Sequence, residues 1–178
     1  MRLDPKYFNL FIAVCAVITL LVITYGTISY VGQQEEEFET ELTMIEPGEI
    51  KMPYIMSNDS LSSESLAGKQ IIIQFWATWS GKATSMHGIL ESYMKGNENL
   101  AVVAAAVRDD DQKIRDYINE NDYPFHYTEG TEFFHRVQAP GVPSFIFIDS
   151  NGSFSGYLVG NDENALKEKT ESLLSNIE

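Results

Sequence analysis

The feature that most constrains the fold is the seventeen-residue stretch 70–86, with the sequence QIIIQFWATWSGKATSM. It begins as a continuous apolar run with high β-propensity, which is the pattern of a strand buried on both faces. It then turns sharply at Trp79-Ser80-Gly81 and continues as a helix. Serine is a preferred N-cap residue, so we predict that Ser80 caps this helix.

Similar patterns place the remaining elements. Residues 100–107 (LAVVAAAV) predict a second buried strand, and residues 142–149 predict a third. Asn151-Gly152 is a strong hairpin signal and precedes a partner strand at 154–159. Helices are predicted after Ser80, after the acidic cap cluster 109–111, and over 162–174. Residues 52–56 suggest a short edge strand, and 58–68 a polar turn region.

The strand end and turn, Phe75-Trp76-Ala77-Thr78-Trp79, resemble the W-C-x-x-C segment of thioredoxins, in particular the membrane-anchored thiol-disulfide oxidoreductases of the TlpA/ResA type. LAGKQIII upstream and Gly141-Val142-Pro143 downstream, which resembles that family's cis-proline loop, extend the resemblance over roughly residues 50 to 176. The resemblance implies an α/β thioredoxin-like fold, a central mixed sheet flanked by helices. It also implies that the Val142-Pro143 loop faces the turn and offers backbone groups to an extended substrate.

The sequence departs from this family at both motif cysteines, where Ser80 and Ala83 stand instead. Thiol-disulfide exchange needs a thiolate whose pKa is lowered by its surroundings. A serine hydroxyl has no comparable acidity, and an alanine cannot resolve a mixed disulfide. Because the only cysteine is Cys15, far upstream in an apolar run, we expect no catalytic residue at the degenerate positions. A nucleophilic Ser80 would need a base and an oxyanion site, and no motif supplies them.

The N-terminal part predicts a membrane anchor. Between Tyr7 and Val31 no side chain is charged, and this length exceeds the roughly 20 residues that span a bilayer. Arg2 and Lys6 precede the span and five glutamates follow it, which predicts a cytoplasmic N-terminus and an extracytoplasmic domain at the cell membrane. We divide the chain into a head and transmembrane helix (1–32), an acidic juxtamembrane segment (33–50) and a thioredoxin-like domain (51–178). The acidic segment is interpreted as a self-repelling spacer, with a short acidic helix as the alternative.

The net charge of −14 argues against nucleic acid and anionic lipid surfaces as partners. The three histidines, at positions 87, 126 and 135, do not have metal-ligand spacing, so they are predicted to be surface or partly buried residues outside any metal site. No cofactor is expected. Gln74 stands where thioredoxins can carry a buried carboxylate, and a neutral amide is compatible with a site that moves no protons. Lys82 is predicted to be a solvated surface residue or a contact for an acidic partner.

These observations lead to a membrane-tethered, redox-inactive protein that binds a peptide or protein partner. The predicted peptide groove is formed by residues of the turn and of the proline loop: Trp79, Ser80, Gly81, Lys82, Val142 and Pro143. Trp76 is assigned to the core. Two alternatives stay open at this point. The chain could act in a thiol-disulfide pathway through a cysteine-bearing partner, or it could be a cysteine-substituted variant of an active reductase.

Overall fold

The structure is a computed structural model that describes residues 5–46 and 49–175. It begins with a single helix, α1 (Pro5–Met44), of 40 residues. The helix is long and apolar enough to cross a membrane, and its most apolar window has a mean hydropathy of 2.4 with none of its surface buried. At 1.5 Å per residue α1 is about 60 Å long, so only part of it would lie in a bilayer.

The C-terminal end of α1 packs on the rest of the chain, which corrects the predicted spacer. Phe38 and Leu42 lie one turn apart on the same face, and both are buried in the core. The Phe38 ring meets Tyr157 edge-on at 5.4 Å between centroids, and Gln138 donates a hydrogen bond to Glu41. The segment 33–44 is therefore a docked helix, and the packed domain includes residues that precede Lys51.

The five-stranded sheet has the order β5-β4-β3-β6-β7. Its strands are β3 (Gln70–Trp76), β4 (Leu100–Ala106), β5 (His126–Glu129), β6 (Ser144–Ile148) and β7 (Phe154–Val159). Strands β3, β4 and β5 are parallel, whereas β6 pairs antiparallel with β3, and β7 antiparallel with β6. The mixed sheet confirms the predicted fold class, and every residue of the three central strands β3, β4 and β6 is buried.

The helices cover both faces of this sheet. They are α2 (Gly81–Thr84), α3 (Met86–Gly96), α4 (Asp111–Glu120), α5 (Thr131–Arg136) and α6 (Glu163–Ser175). One apolar cluster joins the end of α1 and α5 to one face, through Phe38, Phe133 and Phe134 among others. The other joins α3, α4 and α6 to the opposite face, through residues such as Leu90, Ile114 and Leu166. This two-sided burial explains why the strands are continuously apolar rather than alternating.

A small hairpin precedes the sheet and differs from the prediction in detail. Strand β1 (Lys51–Pro53) pairs antiparallel with β2 (Ser60–Ser62), which is followed by a 3₁₀ turn (Ser63–Leu66). The predicted edge strand at 52–56 thus ends early, although Tyr54 still bridges to Thr128 of β5. The predicted polar turn region contains β2, whose central Leu61 is buried in the core.

Candidate functional site

The turn after β3 has the predicted cap. The Ser80 side chain accepts a hydrogen bond from the Ala83 amide at 3.3 Å, and the Ser80 carbonyl accepts from the same amide at 2.9 Å. Ser80 is therefore the N-cap of α2, as expected from its preference for that position. Within residues 5–46 and 49–175, no histidine or carboxylate is hydrogen-bonded to its hydroxyl.

Ala83 and Gln74 form the floor beneath this turn. The Ala83 side chain is fully buried, and the buried Gln74 amide donates a 2.8 Å hydrogen bond to the Ala83 carbonyl. The Gln74 Oε1 atom has no partner in the described part of the chain. The two positions thus present a methyl group and a neutral amide, neither of which can exchange a disulfide or, at neutral pH, carry a proton.

A cleft of about 310 Å³ opens beside the turn. Trp79, with 64% of its surface exposed, and Val142 both line it. Its remaining lining comes from Val107, Arg108, Phe134, His135, Ala139, Pro140 and Gly141. Of the six residues predicted for a groove, the structure places Trp79 and Val142 at this cleft. Ser80, Gly81, Lys82 and Pro143 do not line it.

The loop that carries Val142 is tied to the sheet. The Val142–Pro143 peptide bond is cis, and the buried Pro143 carbonyl accepts a hydrogen bond from the Gly160 amide at 2.9 Å. Ser144 donates its hydroxyl to the Gly141 carbonyl at 2.7 Å. By contrast, the half-buried Val142 has no main-chain hydrogen bond to another described residue. Its N–H and C=O are therefore available at the edge of the cleft.

Arg108 is a cleft residue that the sequence reasoning missed. It follows the carboxyl end of β4, and its backbone has a φ of 48°, in the left-handed region that residues other than glycine seldom adopt. Its guanidinium donates to His135 Nε2 at 2.9 Å and lies 5.9 Å from the centre of the Phe134 ring. A lone basic residue at the carboxyl end of a buried parallel strand is a signal that could have identified it, because ligands often bind at that edge of such sheets.

Asp109 links this loop to the turn. Its carboxylate accepts hydrogen bonds from the Thr78 amide, next to Trp79, and from the Asp110 amide at 2.8 Å. Asp110 in turn caps α4 by accepting from the amides of Gln112 and Lys113, which confirms the predicted cap cluster. Asp109 therefore joins the loop after β4 to the turn after β3, whereas Asp110 stabilises the start of α4.

The histidines lie in three separate environments. His87 is completely buried, contrary to the surface or partly buried position expected, and its Nδ1 meets the Tyr117 hydroxyl at 2.8 Å. Burial lowers the pKa of His87 to about 4 and also lowers that of His126, which contacts Tyr54. His135 is exposed at the cleft. In the described ranges no group of three or more metal-binding side chains occurs.

Comparison with known proteins rests on structure alone, because neither a protein-family model nor a curated protein matches the chain. A thiol:disulfide interchange protein of the thioredoxin family from Chlorobium tepidum is 22% identical, with a TM-score of 0.61, over 71% of this chain and 94% of that one. StoA from Bacillus subtilis is 18% identical, with a TM-score of 0.54, over 68% and 95%. The fold is thioredoxin-like.

A third match agrees with this assignment. A secreted thiol-disulfide isomerase from Corynebacterium glutamicum is 14% identical, with a TM-score of 0.61, over 71% of this chain and 84% of that one. The matches from Chlorobium tepidum and Corynebacterium glutamicum are thus described as thiol-disulfide proteins, in agreement with the resemblance drawn from the motif of this chain. At these identities the likeness establishes the fold, and the chemistry has to be argued from the residues present.

Proposed function

We propose that this chain is a membrane-tethered thioredoxin-like protein that binds an extended segment of a partner protein and performs no thiol-disulfide exchange. One observation carries the proposal: the two motif positions hold a capping serine and a buried alanine, while the cleft beside them stays open. Cys15, the only cysteine, belongs to the apolar part of α1 and is remote from the turn in sequence.

The proposed binding mode uses main-chain pairing. An extended peptide that passes Val142 would find one free N–H and one free C=O, which is how a strand is added to an exposed sheet edge. The exposed Trp79 ring, which lines the same cleft, would pack on the same segment. Tryptophan residues at such positions often contribute most to binding, because the ring buries a large area at little entropic cost.

The proposed location follows from α1 and the charges at its ends. We place residues 7–31 in the cell membrane as a single span, with the N-terminus cytoplasmic and the domain extracytoplasmic. The test uses a Cys15→Ala background with Glu37→Cys or Lys169→Cys, two exposed positions after the span. A membrane-impermeant maleimide should label both on intact cells, and protection of both would reverse the orientation.

The binding test uses the full chain in detergent micelles. A library of N-acetylated, C-amidated heptapeptides would be screened for binders, and their affinities measured by isothermal titration calorimetry, a readout that does not depend on Trp79. In the wild-type chain the Trp79 fluorescence should also shift to the blue when the exposed indole is covered. Trp79→Ala should weaken the selected peptides about tenfold or more. Met56→Ala is the matched control, since Met56 is also an exposed apolar residue but lies outside the cleft.

Redox activity is tested in parallel. The wild-type chain should reduce insulin disulfides no faster than the reductant alone, because no thiol is present at either motif position. Reduction above that background would contradict the inactive assignment. Equal peptide affinity in wild type and Trp79→Ala would contradict the groove instead.

A further inference from the structure

Arg108 is held in an unusual backbone conformation at the cleft. Its φ of 48° is costly for a residue with a side chain, and such conformations persist where the surroundings fix them. Here two side chains do so: the Arg108 amide donates to Thr131 Oγ1 at 3.1 Å, and the Trp79 indole N–H approaches the Arg108 carbonyl at 3.4 Å. The backbone of Arg108 is therefore tied to the same tryptophan that forms the cleft wall.

The guanidinium of Arg108 is also held in one orientation by neighbouring side chains. Its Nε and Nη2 both donate to His135 Nε2, at 3.3 and 2.9 Å, and its planar group faces the Phe134 ring. The Nη1 nitrogen has no hydrogen-bond partner among residues 7–46 and 49–175. The cation is thus oriented by a histidine and an aromatic ring, with one end of its fork left available.

No carboxylate neutralises this cation in the part of the chain that the structure describes, where the ion pairs involve other residues. The adjacent acid, Asp109, is engaged by two backbone amides. The chain has a net charge of −14, and yet an arginine without an ion-pair partner in the described residues lines the cleft. The guanidinium is therefore a charged donor without a carboxylate partner, and an acidic side chain of an occupant can supply that partner.

We propose that Arg108 selects the partner: an extended peptide bound along Val142 places a glutamate or aspartate side chain against the Arg108 guanidinium, between Trp79 and His135. This inference rests on the proposed peptide-binding function. Main-chain pairing at Val142 requires the bound chain to run past the loop, so the carboxylate comes from a side chain rather than from a C-terminus. Arginine suits this role because its planar fork matches a carboxylate.

The test uses the full chain in detergent micelles and a heptapeptide selected from the library described above. Each position of that peptide would be synthesised in turn as glutamate and as glutamine, with both ends blocked. At one position the glutamate form should bind about threefold to fivefold more tightly, the effect expected of one exposed ion pair. The ratio of the affinities of the glutamate and glutamine peptides should fall towards one in about 1 M salt, because screening weakens exposed charge pairs.

Variants assign the preference to Arg108. Arg108→Gln should bind the glutamate and glutamine peptides equally, and Arg108→Lys should keep part of the preference, since it retains the charge without the fork. Arg115→Gln, an exposed arginine of α4 outside the cleft, is the matched control and should behave as wild type. A further peptide carries glutamine in place of every acidic residue and has a free C-terminal carboxylate. It should bind no more tightly than the same peptide with an amidated C-terminus.

Each outcome decides between the two proposals. If peptides bind and Trp79→Ala weakens them, but no position prefers glutamate, the groove stands and the role of Arg108 is overturned. The role is likewise overturned if Arg108→Gln retains the preference, or if only the free C-terminus is preferred. If no peptide binds the wild-type chain, the groove itself is refuted, and the selection by Arg108 is refuted with it.

Discussion

The docking of α1 on the domain predicts a large effect of replacing Phe38. Its ring is completely buried, in edge-on contact with Tyr157, and removing a buried phenylalanine side chain typically costs about 3–5 kcal/mol. The higher helix propensity of alanine offsets about 0.5 kcal/mol of this loss in the free energy of unfolding. We therefore expect Phe38→Ala to lower the free energy of unfolding by about 3 kcal/mol.

The assay is urea unfolding of the full chain in a mild detergent, followed by the fluorescence of Trp76, which is buried in the native state. With a typical slope of about 2 kcal/mol per molar urea, the midpoint should fall by about 1.5 M. Met44→Ala is the matched control on the same helix. Met44 is 69% exposed, so its replacement should change the free energy of unfolding by about 0.5 kcal/mol or less.

Proteolysis supplies a second readout of the same contact. If Phe38→Ala releases the end of α1 without unfolding the sheet, a protease specific for glutamate should cleave near Glu39 and Glu41 faster than in wild type. Identical midpoints and identical cleavage rates in Phe38→Ala and Met44→Ala would refute the docking. The acidic segment would then behave as the spacer that composition alone predicts.

Three further predictions concern the interior and the turn. Ser80→Cys with Ala83→Cys should form a disulfide on oxidation and reduce insulin measurably, whereas Ser80→Cys alone should not; failure to oxidise would refute the placement of the motif. A Cβ at Gly130 would lie 2.6 Å from a β4 side chain, so Gly130→Ala should destabilise by about 1–3 kcal/mol in urea, whereas Gly88→Ala, with open space around it, should stabilise slightly. The pKa of His87 lies below its unfolded value of 6.5, at about 4, so its stabilising contribution is complete above pH 6.5 and declines as the pH falls towards 4; relative to His87→Leu, wild type should lose about 2 kcal/mol between pH 7 and about 4.5.

The parts of the fold that the sequence predicted are those coded by local pattern. Strands β3, β4 and β6 are predominantly apolar runs, and Ser80 is a capping residue directly before a helix, so neighbouring residues were sufficient to identify them. The helix predicted over 162–174 is likewise present as α6, and its buried residues Leu166, Thr170 and Leu173 follow helical spacing. In each case the residues that predict the element are the residues that form it.

The parts that were missed depend on distant partners. Phe38 and Leu42 are two apolar residues in an acidic segment, and only the position of β7 shows that they have a surface to cover. His87 is enclosed by Trp76 and by aromatic residues from α4, β5 and the loop between them, contributed by parts of the chain that are at least 30 residues further on. The residues next to a histidine on a helix do not predict that distant aromatic residues will bury it.

The cleft combines both cases. Trp79 and Val142 were found because the motif and the proline loop are recognisable in isolation. Arg108 and His135, which are 27 residues apart, meet because β5, which leads into α5, pairs with β4. The presence of a cation in the cleft therefore could not be inferred from the net charge of −14.

The docked helix also limits where the cleft can act. If α1 leaves the bilayer near Val31, only six residues lie between that point and the contact at Phe38, a distance of about 10 Å along the helix. Phe38 packs on β7, which pairs with β6, and the loop that carries Val142 leads into β6. The cleft is thus connected to the membrane helix through packed elements rather than a flexible linker, so partner segments should be bound close to the membrane surface. Energy transfer from a dye on Lys82→Cys, an exposed position in the turn beside the cleft, to labelled lipid headgroups in a Cys15→Ala background would measure the height of the cleft, and a separation of several tens of ångströms would refute it.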